Sequence, residues 1–347
     1  MNSARSLIVR QVEPFNAETP LDLDMDPITP VPEFYVRSHF PVPPAPHGFV
    51  VDGAVTRSRR WTVADVRQLP VASIITTMEC AGNGRAYLEP PTGGVTWHLG
   101  AVATAEWRGA RLRDVLEEAQ IDPAAVEVVF AGADRGIPSG AEEEIAYERS
   151  LTVAEALHGP VLLAYEMNGA PLTAQHGAPV RLIVPGWYGM ASVKWLNRVT
   201  AIKRPFDGHY QVRDYVVRIG DQVRPCREMA VRAVILSPEA GSLHDSGSQI
   251  VVGGICWSGR GAVAAVEVSA DDGKSWTEAT LEPAPSPQVW QRWSLDWKPE
   301  RLGAYCLIAR ARDSAGEIQP LEQIWNPGGY SNNAVVPVEI TIRQSQP

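Results

Sequence analysis

The chain has 347 residues, of which 45% are hydrophobic and 20% charged, and this composition indicates a folded protein of about two domains rather than a disordered or collagen-like one. Its formal net charge of −9 argues against a nucleic-acid or anionic-membrane partner, because such partners are bound by a basic face. No apolar run reaches the roughly 18 residues of a membrane span, and residues 1–20 contain no apolar core of signal-peptide length. We therefore expect no membrane span and a cytoplasmic location as given, or a periplasmic one if an export signal has been removed.

The first 50 residues are rich in proline, which predicts an extended segment that wraps a core. From 51 to 225, short apolar runs alternate with helical patterns, which predicts a mixed α+β domain. Its predicted strands are residues 73–78, 125–130, 159–167 and 180–186, and its predicted helices are residues 112–119 and 152–157. The first domain is thus predicted to span residues 1–225.

The remainder, residues 226–347, consists of strand-like runs separated by turns. These runs are residues 231–236, 249–257, 262–270, 275–281, 289–297, 304–313 and 335–342. The pair Asp272-Gly273 between two of them is a hairpin signal. Short strands at this spacing over about 120 residues predict an all-β, immunoglobulin-like sandwich.

Cysteine spacing limits the cofactor chemistry. Cys80, Cys226, Cys256 and Cys306 are too far apart for a CxxC pair, a zinc ribbon, a c-type haem site or a dense disulfide scaffold. We therefore predict no haem, and the state of the last three thiols stays open. The sequence also lacks GxGxxG, GxSxG and HExxH motifs.

One loop stands out as a candidate site, the segment MECAGNGR at 78–85, which follows a β-branched run. A thiolate at Cys80 could bind a metal or attack a carbonyl, and Gly82 and Gly84 would let backbone amides approach a ligand. Arg85 adds a forked donor for an oxyanion. The alternative is a buried, inert cysteine, which is the common fate of a lone thiol.

A second group of polar residues lies in Gly/Pro-rich loops, where regular structure does not require them. Arg37 and His39 form one pair, His176 and Arg181 another, and Lys194 follows downstream. Each could be a structural residue. Together they indicate a polyanion held by loops.

Six segments resemble the sulfite oxidase family of molybdenum enzymes, and they occur in that family's order. The segments are FYVRSHFPVP at 34–43, MECAGNGR at 78–85, TWHLGAVATAEWRGARLRDVL at 96–116, HGAPVRLIVPGWYGMASVKWL at 176–196, RDY at 213–215 and WNPGGYSNNA at 325–334. The resemblance implies a molybdopterin-binding domain of the sulfite oxidase fold, followed by an immunoglobulin-like domain that commonly dimerises.

The resemblance also implies roles for individual residues. Cys80 takes the position of the thiolate ligand to molybdenum. The positions matching those that hold the pterin and its phosphate are Tyr35, His39, Asp134, His176, Arg181, Ser192 and Lys194. The positions matching the substrate pocket are Arg37, Arg85, Trp97 and Tyr215.

Two departures from the family pattern bear on the substrate. Animal and plant members have arginine at both positions after CAGN, whereas this chain has Gly84 and then Arg85, as in bacterial members. Where a third pocket arginine is often found, the chain reads Gln288-Val289-Trp290, and Arg292 is a candidate to replace that arginine. The pocket is therefore expected to be less cationic than in the animal enzymes.

The implied activity is the molybdenum-dependent oxidation of sulfite to sulfate, with electrons passed to an external one-electron acceptor such as a cytochrome c. An alternative within the family is action on sulfane sulfur or an S-oxide. From other classes, a cysteine hydrolase built on Cys80 and His176 and a non-catalytic binding module remain open.

The tryptophans suggest a homodimer formed through the second domain. Six of 11 fall after residue 226, namely Trp257, Trp276, Trp290, Trp293, Trp297 and Trp325. A sandwich of about 120 residues is expected to leave some of these rings for an interface, where tryptophan is enriched. The rival interpretation is that the strand containing Trp290 packs on the first domain of its own chain.

Overall fold

The computed structural model describes residues 5–345 and contains two β-rich domains. The strands of the first domain are β1 (Ile8–Gln11), β2 (Asn16–Glu18), β3 (Phe49–Gly53), β4 (Arg59–Trp61), β5 (Val71–Glu79), β6 (Val102–Arg111), β7 (Glu127–Gly136), β8 (Ile145–Thr152), β9 (Leu162–Met167), β10 (Ala170–Pro171), β11 (Arg181–Ile183), β12 (Leu196–Ile202), β13 (Val216–Ile219) and β14 (Gln222–Pro225). The helices are α1 (Val63–Gln68), α2 (Leu112–Ala119), α3 (Val153–His158) and α4 (His209–Val212), and there are 3-10 turns at Val31–Glu33, Arg85–Tyr87 and Gly189–Ala191. The strands of the second domain are β15 (Arg232–Ser237), β16 (Leu243–Asp245), β17 (Ile250–Trp257), β18 (Val263–Ser269), β19 (Thr277–Glu278), β20 (Thr280–Leu281), β21 (Gln291–Trp297), β22 (Gly303–Asp313) and β23 (Val338–Arg343).

Two five-stranded sheets form most of the first domain. One has the order β10–β9–β6–β5, with β11 also paired to β9, and the other has the order β4–β3–β12–β7–β8. The predicted strands correspond to β5, β7, β9 and β11, and the predicted helices correspond to α2 and α3. Thr152 caps α3 and forms a capping box with Glu155, which explains why the helix begins at that point. The expectation of a mixed α+β domain is confirmed, with more strand than helix.

Strand β5 delivers the loop that contains Cys80. Its β-branched residues favour an extended backbone, and it pairs antiparallel with β6 along its whole length, from Val71 opposite Ala110 to Glu79 opposite Val102. Pairing ends at Glu79. Cys80 is therefore the first residue of the loop beyond a fixed strand end.

The Pro-rich segment is extended, as predicted. Strands β1 and β2 form a short hairpin, and Ala17 forms an isolated bridge to Val36. Farther along, the amide of Thr29 donates to the carbonyl of Thr104 in β6 at 2.8 Å. The segment thus lies against the first domain and brings residues 34–39 to the candidate site.

The second domain is a two-sheet β-sandwich. Its sheets have the orders β15–β17–β21–β20 and β16–β23–β22–β18–β19, and an apolar core that includes Val252, Trp293 and Leu307 lies between them. Every predicted strand-like run contains a strand. Residues 275–281 form two short strands, β19 and β20, and β16 was not predicted because LHD offers little apolar pattern. Asp272 and Gly273 both have positive φ, 59° and 79°, in the connection between β18 and β19.

The six tryptophans after residue 226 divide between buried positions and positions with some exposure. Trp293 fills the sandwich core, whereas Trp257 and Trp290 belong to the core of the first domain. The indole Nε1 of Trp290 donates to the carbonyl of Pro27 at 2.8 Å, and its amide donates to Oγ1 of Thr77. The rival interpretation is therefore correct for Trp290. Trp325 is 39% exposed and Trp276 and Trp297 are partly buried, so an interface role for these three rings stays a prediction.

A buried ion pair joins the two domains beneath the Cys80 loop. The guanidinium of Arg232, at the start of β15, lies 3.0 Å from Oε1 of Glu79, and both side chains are at most 3% exposed. Glu79 also accepts from Nδ2 of Asn83 at 2.9 Å and from Nε1 of Trp257 at 3.0 Å. Because a buried charge is costly without partners, this arrangement fixes the sandwich against the end of β5.

We predict that Arg232→Met lowers the free energy of unfolding by about 3–5 kcal/mol, because Glu79 would remain buried without its cation. Urea unfolding measures the loss, and Arg232→Lys should recover part of it by keeping the charge. The matched control is Arg343→Met, since Arg343 pairs with Asp245 at 2.8 Å on the surface and should contribute about 0–1 kcal/mol. Equal losses in the Arg232 and Arg343 variants would contradict the prediction.

Candidate active site

The Cys80 loop is held by backbone hydrogen bonds on both sides. The amide of Cys80 donates to the carbonyl of Ala101 at 2.8 Å, and its carbonyl accepts from the amide of Asn83 at 2.9 Å. Gly84 has φ of +82°, and a Cβ there would collide with the guanidinium of Arg232. Glycine at 84 is therefore required both by the backbone conformation and by the approach of the second domain.

An inner cavity opens beside Cys80, and the loops of the first domain surround it. Arg37 and Tyr215 line it together with Cys80. All the positions matched to cofactor binding also line it, namely Tyr35, His39, Asp134, His176, Arg181, Ser192 and Lys194. Residues that lie up to 180 positions apart in the chain thus meet at one cavity, and their individual roles remain predictions.

The cations of this cavity have no carboxylate partner. Among residues 5–345, no Asp or Glu oxygen lies within 4.0 Å of the charged nitrogens of Arg37, Arg181 or Lys194. Buried cations are normally paired. The cavity is therefore built to receive an anion.

Arg181 shows this arrangement most clearly. It is 4% exposed, and its guanidinium donates to the carbonyls of His176 and Ser192, each at 3.0 Å. Its Nε has no hydrogen-bond partner among residues 5–345. Burial lowers the pKa of Arg181 to about 10, so the side chain still carries a positive charge at neutral pH.

Lys194 and Asp134 provide the remaining ionisable groups of the cavity. The Nζ of Lys194 donates to Oγ of Ser38 at 2.9 Å and to the carbonyl of Gln175 at 3.0 Å. Burial lowers the pKa of Lys194 well below its usual value and raises that of Asp134 to about 6. Within the described part of the chain, one carboxyl oxygen of Asp134 has no hydrogen-bond partner, so this group can accept a hydrogen bond from a ligand.

Both histidines of the cavity are neutral at physiological pH. Burial, reinforced by Arg181 and Lys194, lowers the pKa of His176 to about 3. Burial and the charge of Arg37 lower the pKa of His39 well below its usual value. The imidazoles therefore act as hydrogen-bonding groups, and the positive charge of the site comes from its arginines.

An outer cavity adjoins the inner one and opens to solvent. Arg37, His39, Cys80 and Tyr215 line both cavities and so mark the boundary between them. Arg85 and Trp97 line the outer cavity. All four positions matched to the substrate pocket therefore surround this cavity, with Cys80 at its inner end.

The Tyr215 hydroxyl lies at this boundary. It is hydrogen-bonded to Nε2 of His39 at 2.8 Å, and its ring packs against Tyr330 with a centroid distance of 5.0 Å. Trp97 is fully buried, and its indole Nε1 has no partner within residues 5–345. The Nε of Arg85 is likewise unpartnered there. These donors are available to a ligand.

The second domain positions Arg85. The guanidinium of Arg85 donates to the carbonyl of Val95 at 2.8 Å. From the second domain, the carbonyl of Gly328 accepts from it at 2.9 Å, and the ring of Tyr330 lies beneath it. The turn at 326–330 is in turn held by Asn326, whose side chain bonds both the amide and the carbonyl of Tyr330. One wall of the outer cavity is thus supplied by the second domain.

The sequence did not identify several residues of the site. Tyr147 stacks on His39 at 4.9 Å, Arg149 lies over Tyr215, and Tyr330 supports Arg85. Tyr330 and Glu79 lie inside segments that carry the family resemblance, so these segments could have indicated them. Arg149 lies in a strand whose local sequence gives no such signal.

Arg292 does not replace the third pocket arginine. Its guanidinium donates to the carbonyl of Met25 and faces Glu282, and it does not line either cavity. Its strand, β21, directs this side chain toward the Pro-rich segment. The outer cavity instead contains Arg10, whose guanidinium is paired with Glu18 at 2.9 Å.

The hydrolase alternative finds no support in the geometry. A nucleophilic thiol needs a depressed pKa or a basic partner. Burial raises the pKa of Cys80 instead, although Arg37 opposes the rise. His176 is a weak base, and its Nε2 lies 3.4 Å from the carbonyl of Val31.

Comparison with known proteins covers almost the whole chain. Residues 39–210 match the family model of the oxidoreductase molybdopterin binding domain, and residues 223–343 match that of the Mo-co oxidoreductase dimerisation domain. The sulfite oxidase of Arabidopsis thaliana is 33% identical over 95% of this chain and 92% of its own length.

Two further relatives differ in length and in activity. The mitochondrial sulfite oxidase of Mus musculus is 36% identical over 95% of this chain, which spans 64% of the length of that protein. The structure of the sulfane dehydrogenase SoxCD from Paracoccus pantotrophus is similar at a TM-score of 0.81 and 26% identity, and the match covers 93% of this chain and 83% of the other. No helix within residues 5–345 is long and apolar enough to cross a membrane.

Proposed function

Because the chain belongs to the sulfite oxidase family of molybdopterin oxidoreductases, we propose that it oxidises a small sulfur compound, with sulfite as the first candidate substrate. The reaction is SO₃²⁻ + H₂O → SO₄²⁻ + 2H⁺ + 2e⁻. The observation that supports it most is the pair of adjoining cavities, one lined by unpaired cations and the other by three arginines, which meet at Cys80.

The residues present fit a phosphorylated pterin bound to molybdenum. Arg181 and Lys194 would meet the negative charge of the phosphate, and the unpartnered oxygen of Asp134 would accept from the pterin. Around them, Tyr35, His39, His176 and Ser192 supply neutral hydrogen-bonding groups. Cys80 would be the thiolate ligand of the metal. When bound, the molybdenum cofactor would supply two-electron redox and oxygen-transfer chemistry, which no side chain of the site can provide.

The outer cavity would bind the substrate. The guanidinium groups of Arg37 and Arg85 would bind the oxygens of a sulfur oxyanion, offsetting the cost of removing it from water. The Tyr215 hydroxyl, held by His39, would donate to an oxygen of the reacting group. Trp97 would offer its free indole N–H while keeping the inner end of the cavity dry. The geometry would thus orient the anion toward Cys80.

Two electrons per turnover would pass to an external one-electron acceptor. A basic cytochrome c suits the net charge of −9, because opposite charge raises the rate of encounter between proteins. Such an acceptor would bind at the mouth of the outer cavity.

A second candidate substrate is sulfane sulfur. The fold similarity to the sulfane dehydrogenase SoxCD favours it, and the cavity contains only two arginines without a carboxylate partner, Arg37 and Arg85. Reduction of an S-oxide is a further possibility within the fold. Comparison of turnover on sulfite, on thiosulfate and on an S-oxide would separate these activities.

We further propose a homodimer formed through residues 226–347. Support comes from the match to the Mo-co oxidoreductase dimerisation domain, and two-fold pairing is the commonest closed symmetry. The immunoglobulin-like topology of this sandwich stays a prediction.

We predict about one molybdenum per chain in the purified protein, together with a pterin released by acid. Cys80→Ser should fold and keep the pterin but lose essentially all sulfite oxidation, because an alcohol is a harder and far less acidic ligand than a thiol. Elemental analysis, pterin fluorescence and reduction of ferricyanide measure these properties. Cys306→Ser, in the second domain, is the control and should keep full activity. Protein from a molybdenum-replete host that contains neither metal nor pterin would overturn the proposed function.

We predict that Arg37→Gln raises the KM for sulfite about ten- to a hundred-fold with a smaller loss of kcat, since a charge-assisted hydrogen bond contributes about 1.5–3 kcal/mol. Steady-state kinetics measure the change. Arg198→Gln is the matched control, because Arg198 pairs with Asp52 on the surface of the same domain. Unchanged kinetics in Arg37→Gln would place this residue outside the substrate site.

For the homodimer, we expect a sedimentation mass about twice that of one chain at micromolar concentration. The mass should be independent of whether the cofactor is bound, because the proposed interface lies in the second domain. A mass equal to that of one chain at micromolar concentration would contradict the proposal.

A further inference from the structure

The outer cavity combines apolar and polar side chains at its mouth. Cys80 and Tyr215, at the inner end, are at most 6% exposed. Toward solvent the apolar lining residues are Val95, Ile137 and Pro327, and Ile137 is 61% exposed. Thr96 and Ser139 lie among them.

The volume and the charge of this cavity also favour an organic ligand with one negative charge. In the protein alone it encloses about 750 Å³, within the range of pockets that take organic ligands, and a metal at Cys80 would fill part of it. Of its three arginines, Arg10 is neutralised by Glu18, so that Arg37 and Arg85 are left for the ligand. Asp214, in contrast, adds a negative charge to the lining. A singly charged head group matches this balance better than a dianion.

Aromatic rings line the outer cavity between its inner end and its mouth. Phe40, Trp97, Tyr210 and Tyr330 all line the cavity, and Tyr330 lies between Arg85 and Tyr215. Such rings offer flat apolar surface to a ligand and stack favourably on another ring. The wall therefore suits an apolar group attached directly to an anionic head.

We propose that the outer cavity accepts organic sulfinates, R–SO₂⁻, as substrates, with the sulfinate head at Arg37 and Arg85 and the organic group against Tyr330 and Ile137. This inference rests on the proposed function of the same site. A sulfinate matches sulfite in the features that the site recognises, because it has a lone pair on sulfur and anionic oxygens beside it. It differs in having a single charge and an apolar substituent.

The reaction balances as R–SO₂⁻ + H₂O → R–SO₃⁻ + 2H⁺ + 2e⁻. One sulfur–oxygen bond forms, the oxygen comes from water, and the sulfur loses two electrons. Two equivalents of an external one-electron acceptor take up these electrons. No other co-reactant is required.

The test compares benzenesulfinate, methanesulfinate and sulfite with the molybdenum-loaded protein and ferricyanide as acceptor. We expect benzenesulfonate as the product, and a kcat/KM for benzenesulfinate about tenfold or more above that for methanesulfinate, because burying a ring is favourable by more than 1.4 kcal/mol. Ile137→Asn should lower this ratio of kcat/KM values several-fold. Val251→Asn alters a similarly exposed residue on β17 and should leave the ratio unchanged.

The outcomes separate the two proposals. Sulfite turnover without oxidation of either sulfinate would overturn the inference alone, and so would competitive inhibition by sulfinates without product. A ratio that does not change in Ile137→Asn would also overturn the assignment of the apolar group to the mouth. If loaded protein oxidised neither sulfite nor a sulfinate, the proposed function itself would fail.

Discussion

The buried ion pair between Glu79 and Arg232 is the constraint on which the arrangement of the site depends. Glu79 is the last residue of β5 and Arg232 the first of β15, so the pair fixes the relative position of the two domains at the point where the Cys80 loop begins. The guanidinium also donates to the carbonyl of Asn332, whose side chain donates to the carbonyl of Gly84. Both domains therefore determine the conformation of the loop that contains Cys80.

A second constraint comes from positive charge that the protein leaves unpaired. Burying Arg181 and Lys194 without carboxylates costs free energy, and this cost is visible as a pKa of Arg181 lowered to about 10 and a pKa of Lys194 lowered well below its usual value. An anionic ligand that binds only the folded state would offset this cost and raise the free energy of unfolding. Stability and ligand binding are thus coupled through the same side chains.

Local sequence patterns predicted most of the architecture. The β-branched run at 73–78 and the amphipathic pattern at 112–119 correspond to β5 and α2, because these elements are specified by their own residues. The segments that resemble the family also predicted that residues such as His39 and His176 belong to one site, and both line the inner cavity. Contacts between distant segments could not be predicted: the pairs Glu79–Arg232 and Arg85–Gly328 join residues 153 and 243 positions apart. The packing of Trp290 on residues of the other domain could not be predicted for the same reason.

The turn at 326–330 has a consequence for biosynthesis. This turn completes the wall of the outer cavity, and Ser331 donates its amide to the carbonyl of Ala81, next to Cys80. The ribosome synthesises the chain from its N-terminus, so the first domain can begin to fold before residues 326–330 have been synthesised. During that interval the outer cavity lacks one wall, and Arg85 lacks its contacts to Gly328 and Tyr330.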